Sequence, residues 1–142
     1  MVKVELSRLE GDYHMVAVND RGNIIHLDDG GKEGGLGAGF GPMQSLLAAF
    51  GGCSTIDVVS ILKKQRQELK DIKITVTGER EAGAVPSLYK TINAHFKLYG
   101  DIDPDKAEKA VSLSVEKYCS VAETLRRSGA KVTHSFEIIN DN

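Results

Sequence analysis

The run from Pro42 to Leu62 limits the fold of this chain more than any other feature. Apolar residues stand at positions 43, 46, 47, 50, 53, 56, 58, 61 and 62, and clustered charge returns only at Lys63-Lys64. Pro42 suits the first position of a helix, and the seven glycines from Gly30 to Gly41 make the preceding segment too flexible for regular structure. A helix with so little polar surface belongs in a core, so the sequence predicts a central helix buried over most of its length and emerging at its end. Gly51 and Gly52 each disfavour a helix interior by about 1 kcal/mol relative to Ala. The compensation expected is close approach of another backbone, beside Cys53.

Around this helix the periodicity is that of strands. Val2, Val4 and Leu6 alternate with polar residues, Tyr13 to Val18 forms a second extended run, and Asp20-Arg21-Gly22 turns the chain into a third over Asn23 to Leu27. Beyond the helix, Ile72, Ile74 and Val76 alternate with polar neighbours, as do Ile92, Ala94, Phe96 and Leu98, with Gly83 to Ser87 joining the two as a hairpin. Asp103-Pro104 is an N-cap followed by a first-turn proline, and helical spacing then runs to Gly129, with a break expected between Ser114 and Cys119. Val132, His134, Phe136 and Ile138 share one face of a closing strand. The order βββ-α-ββ-α-β is α+β. A three-stranded N-terminal sheet buries little by itself and needs a partner.

At 142 residues the chain fits one domain, 1–142. A formal net charge of −2 argues against a nucleic-acid partner. The charged N-terminal segment lacks the apolar stretch of a signal peptide, and no uninterrupted apolar run long enough for a bilayer is evident, so no membrane partner and a cytoplasmic location are expected. Two cysteines cannot make a disulfide scaffold, and His14, His26, His95 and His134 are scattered without ligand spacing, so no metal is expected from the pattern. In a reducing compartment a lone pair of thiols is either inert or catalytic.

Cys53 lies mid-helix and gains nothing from a helix N-terminus, while apolar burial raises a thiol pKa unless a cation or donor favours the anion. Asp57 is one turn further on the same face, where its charge opposes a thiolate, so a buried hydrogen bond or salt bridge is expected of it. The segment Gly35 to Gly41 before a helix could cradle an anion. Without Gly-Lys-Ser/Thr or a parallel βαβ order it reads instead as a mobile loop, able to gate a pocket near the cysteine.

The Pro42-initiated helix with Ala48-Ala49-Phe50-Gly51-Gly52-Cys53, the segment Lys117-Tyr118-Cys119-Ser120-Val121, and the closing strand Val132-Thr133-His134-Ser135-Phe136 together resemble the OsmC/Ohr family, the osmotically inducible and organic-hydroperoxide-resistance proteins. The resemblance covers nearly the whole chain. It implies an intertwined homodimer with long central helices packed on antiparallel sheet, and a thiol-dependent peroxidase that uses a dithiol reductant and neither metal nor organic cofactor. In that family the cysteine matching Cys53 attacks a hydroperoxide, and the one matching Cys119 resolves the sulfenic acid as a disulfide, which guards against over-oxidation.

The resemblance breaks at the activating residues. Family peroxidases carry a glutamate directly after the helix-opening proline, and it orients an arginine toward the thiolate; here Met43 stands in that position. Arg8 and Arg21 of the N-terminal sheet, approaching the partner's thiol across a dimer, and Glu116 remain candidates for activation. The departure leaves room for a non-catalytic member binding an apolar small molecule or fatty-acyl ligand against Met43, Leu47 and Phe50, or for a structural stress-associated dimer with inert thiols.

Overall fold

The computed structural model describes residues 1–140. Contacts divide the chain into two compact units, Met1–Leu46 and Leu47–Asn142.

In the first unit, β1 (Glu5–Glu10), β2 (His14–Val18) and β3 (Ile24–Leu27) form an antiparallel sheet in the order β1-β2-β3. Every residue of β1 is exposed, and Leu6, Leu9, Ile24 and Ile25 are each more than half exposed, so this sheet buries little. The glycine-rich segment has no helix or strand, yet it is organised rather than loose. The buried Asp28 carboxylate accepts the backbone N–H of Asp29, Leu36 and Ala38 at 2.7, 3.2 and 3.0 Å. Phe40 N–H donates to His26 carbonyl oxygen, and Asp28 N–H to Phe40 carbonyl oxygen, both at 3.0 Å. Gly39 lies so close to the β3 backbone that a Cβ there would stand 2.5 Å from the His26 carbonyl oxygen. Glycine in this loop therefore serves close approach as well as freedom.

The second unit holds most of α1 (Pro42–Lys64), followed by β4 (Asp71–Arg80), β5 (Tyr89–Tyr99), α2 (Pro104–Leu113), a π-helical turn (Ser114–Tyr118), α3 (Ser120–Arg127) and β6 (Lys131–Ile139). Its sheet has the order β4-β5-β6. β4 and β5 pair antiparallel as the hairpin predicted, but β6 runs parallel to β5, so the expectation of a purely antiparallel sheet is corrected to a mixed one. The reason is the helical crossover between β5 and β6, which returns the chain to the same end of the sheet before β6 begins.

Alternation places Ile92, Ala94, Phe96 and Leu98 of β5 in the core, none more than 1% exposed, with Asn93, His95 and Lys97 on the wetter face. Phe50, Val58 and Leu62 of α1, Ala107, Ala110 and Val111 of α2, and Val115, Ala122 and Leu125 complete this core. α2 starts where expected: the Asp103 carboxylate accepts the N–H groups of Asp105 and Lys106, with Pro104 in the first turn. α3 ends where Gly129, at φ 107°, allows Ala130 N–H to reach Leu125 carbonyl oxygen and Gly129 N–H to reach that of Arg126.

α1 departs from its expected burial. Only Phe50, Ser54, Val58 and Leu62 are buried, one stripe at four-residue spacing, while Ile56 is 72% and Leu46 38% exposed. One helix face is thus used by the second unit and an apolar remainder is left uncovered within the single chain. The reading that no segment could cross a bilayer is also corrected, since α1 is long and apolar enough by length and composition alone. Its buried stripe nonetheless packs as a protein core helix does. Of the paired glycines, Gly51 faces the Val76 side chain of β4 at 3.4 Å from an added Cβ, and Gly52 faces open space, so among the described residues no second backbone closes on them.

Candidate functional site

Cys53 occupies the middle of α1 and is half-buried. Asp57 follows one turn later, also half-buried. Cys119, 1% exposed, reaches them from the other end of the sequence, with residues 54–118 intervening. The Sγ atoms of Cys53 and Cys119 and a carboxylate oxygen of Asp57 all lie within 4.8 Å of one another, and both cysteines are free thiols.

Cys119 gets there because the second helical region is broken. The interruption expected from the sequence is the π-helical turn Ser114–Tyr118, after which Cys119 adopts extended backbone (φ −73°, ψ 107°) and becomes the N-cap of α3. The residue expected within a helix is therefore a capping residue, and its sulfur replaces the usual oxygen by accepting Ala122 N–H at 3.4 Å. Ser54 Oγ donates to the same sulfur at 3.6 Å. Burial pushes the Cys119 thiol above its ordinary pKa; the Ala122 and Ser54 donors pull against this, and the neighbouring Cys53 adds to the upward push.

Asp57 holds the hydrogen bond anticipated for it. Ser114 Oγ donates to Asp57 Oδ2 at 3.1 Å and lies 3.5 Å from the Ser54 carbonyl oxygen. Ser54 and Ser114 are both fully buried and went unremarked in the sequence. A signal for Ser114 was available, since a serine stands at an apolar-spaced position next to the expected break.

The other candidates are placed less tightly. Glu116 is exposed, its carboxylate 3.2 Å from His134 Nε2. Arg8 in β1 and Arg21 in the β2–β3 turn are exposed within the first unit. Met43 and Leu47 are half-buried on α1, and Phe50 is wholly buried in the core of the second unit.

Comparison with known proteins gives the family and the fold. Residues 33–135 match the family model described as OsmC-like protein. The chain is 48% identical over 99 residues to Protein YhfA of Escherichia coli K12, covering 69% of this chain and 72% of that protein. A crystal structure of a hypothetical protein from Aquifex aeolicus VF5 superposes with a TM-score of 0.85 at 34% identity, covering 100% of this chain and 98% of the other. An organic hydroperoxide resistance protein, OsmC, from Legionella pneumophila shares the fold at a TM-score of 0.72 and 18% identity, with 96% of each chain covered.

Proposed function

We propose, for a chain that belongs to the OsmC-like protein family, that it is a thiol peroxidase reducing organic hydroperoxides, with Cys53 as attacking thiolate and Cys119 as resolving thiol. The observation that carries this reading is the meeting of the two sulfurs within 4.8 Å from opposite ends of the second unit. Exposure supports these roles: Cys53 is half-buried and open to a hydroperoxide, whereas Cys119 is 1% exposed.

The Cys53 thiolate attacks the outer peroxide oxygen and the O–O bond breaks, giving a sulfenic acid and an alkoxide that takes up a proton to leave as the alcohol. The Cys119 thiolate then attacks the Cys53 sulfur, expelling hydroxide, which leaves as water, and the disulfide forms. An external dithiol reopens it by exchange and is itself oxidised. Neither metal nor organic cofactor enters these steps.

Burial does most to keep the Cys119 thiol protonated, and the neighbouring Cys53 adds a smaller push in the same direction. Conversion of Cys53 to a neutral sulfenic acid removes only that smaller push, so that the Ala122 and Ser54 donors then oppose burial alone in favouring the Cys119 anion.

A homodimer belongs to the same proposal. The uncovered apolar face of α1 and the exposed apolar residues of the first sheet are the surface a second copy would bury. In that assembly Arg8 or Arg21 of one copy, or Glu116, is available to assist Cys53 of the other. Free thiols suit a cytoplasmic, reducing location, and α1 is assigned to a protein interface rather than to a membrane.

The test is peroxide treatment followed by non-reducing peptide mapping. Wild type should yield a Cys53–Cys119 disulfide, Cys119→Ser should accumulate sulfenic or sulfinic acid at Cys53, and Cys53→Ser should leave Cys119 reduced. Consumption of cumene hydroperoxide with dithiothreitol or dihydrolipoamide should depend on Cys53. Met43 in place of the family glutamate favours a second reading, a fatty-acyl or other apolar ligand bound near Met43, Leu47 and Phe50. Equal, slow oxidation of both cysteines together with saturable fatty-acid binding would select it.

A further inference from the structure

Three donor atoms converge at Cys53, Asp57 and Cys119, although no metal-ligand spacing can be read in the sequence. We infer that these residues form a binding site for a thiophilic divalent cation of the zinc type, and that the cation and a hydroperoxide compete for the same two sulfurs.

The donor set is chemically suited to such an ion. Zn²⁺ takes thiolate sulfur and carboxylate oxygen in tetrahedral arrangement, in which neighbouring donor atoms stand about 3.5–3.8 Å apart. The three atoms here, within 4.8 Å of one another, need to close by at most about 1.3 Å, a side-chain adjustment. Cys53 and Asp57 sit one turn apart on α1, so a single rigid element fixes two of the three donors. Three protein ligands leave a fourth position for water, on the half-buried Cys53 side.

The surrounding hydrogen bonds are those that orient metal ligands. Cys119 Sγ already accepts Ala122 N–H and Ser54 O–H, both donors that stabilise sulfur as an anion. Ser114 O–H holds Asp57 Oδ2, leaving carboxylate lone pairs available. A divalent ion offsets the negative charge that the two sulfurs acquire, beside the Asp57 carboxylate, as they give up their protons to bind it. Binding replaces two S–H protons by two metal–sulfur bonds with no change of oxidation state.

Cation binding itself requires only reduced thiols and does not depend on the peroxidase reading. The competition with hydroperoxide does rest on that reading, so the two can fail separately. The test titrates fully reduced protein with Cd²⁺ under anaerobic conditions and without peroxide, following sulfur-to-cadmium charge-transfer absorbance. Saturation at one ion per chain is expected, with Cys53→Ser and Cys119→Ser abolishing the band and Asp57→Asn weakening binding by at least about tenfold. Because buried substitutions can disturb folding, alkylation of wild type followed by mass spectrometry provides a second readout: Zn²⁺ should protect Cys53, the half-buried thiol that the reagent can reach. The inference is overturned if no stoichiometric band develops, if Asp57→Asn binds as tightly as wild type, or if Zn²⁺ leaves Cys53 open to alkylation.

Discussion

Replacing Ser54 by Ala removes one hydroxyl from the core and one donor from the Cys119 sulfur. The Ser54 Oγ to Sγ separation is 3.6 Å, long for a strong bond, and both groups are buried. Hydrogen bonds to charged acceptors contribute about 1.5–3 kcal/mol, and a long bond to sulfur falls below that range, at about 1 kcal/mol. Losing that donor should raise the Cys119 pKa further, and since about 1.4 kcal/mol is a factor of ten, its thiolate fraction near neutral pH should fall about fivefold. Resolution of the Cys53 sulfenic acid should slow in proportion, whereas the first attack on peroxide should not. The assay is intact-mass partitioning between disulfide and sulfinic acid over a peroxide series, with the half-point in Ser54→Ala shifted to about fivefold lower peroxide. Thiolate absorbance in a Cys53→Ser background measures the Cys119 pKa directly. Identical partitioning and an unmoved pKa would refute the claim that this hydroxyl favours the anion.

If the proposed dimer buries the exposed apolar side of α1, Ile56→Glu should shift it to monomer in micromolar sedimentation, because burying an unpaired carboxylate costs several kcal/mol, or at least about 100-fold in Kd; a dimer unchanged by the substitution would place the interface elsewhere. Phe96→Ala, in the middle of the β5 core row, should destabilise the protein by about 3–5 kcal/mol in denaturant titration. Asp28→Asn should speed hydrogen exchange at the Leu36 and Ala38 amides. The Ala38 N–H above all, with those of Asp29 and Leu36, holds the Asp28 carboxyl below its ordinary 3.8, against the opposing effect of burial. A folded pKa lower than the unfolded one means that this contribution is complete above about pH 4 and is lost as pH falls through the lower folded value. Amide protection in the wild-type loop should accordingly hold through mildly acidic pH and fail only below the usual carboxylate range.

Periodicity located the strands and helices because each has one face in a core: Ile92 to Leu98 alternate so cleanly that the inward row needed no structure to name it. The Asp103 cap and Gly129 stop were equally legible, since their chemistry is local. Strand direction was not, because the alternation of Val132 to Ile138 is the same whether β6 runs parallel or antiparallel to β5. Nor could hydrophobicity tell how α1 divides its surface between the core and a second face. At the site, Cys53, Asp57 and Cys119 stood out by residue type, but Ser54 and Ser114 act through contacts that join positions 54, 57, 114 and 119 only after folding. The loop at Gly30 to Gly41 read as mobile because glycines report conformational freedom, whereas the carboxylate that organises it lies outside the glycine run at Asp28.

The long sequence span between Cys53 and Cys119 gives their chemistry a consequence for the durability of the whole second unit. A covalent link across the 65 residues 54–118 encloses the C-terminal half of α1, the β4–β5 hairpin, α2 and the π-helical turn in one loop. In the chain-entropy description, tying such a loop disfavours the unfolded state by about 4 kcal/mol. Each oxidised molecule would thus outlast its reduced counterpart against heat and proteolysis, so a cell accumulating oxidised protein would also be accumulating the form that is hardest to degrade.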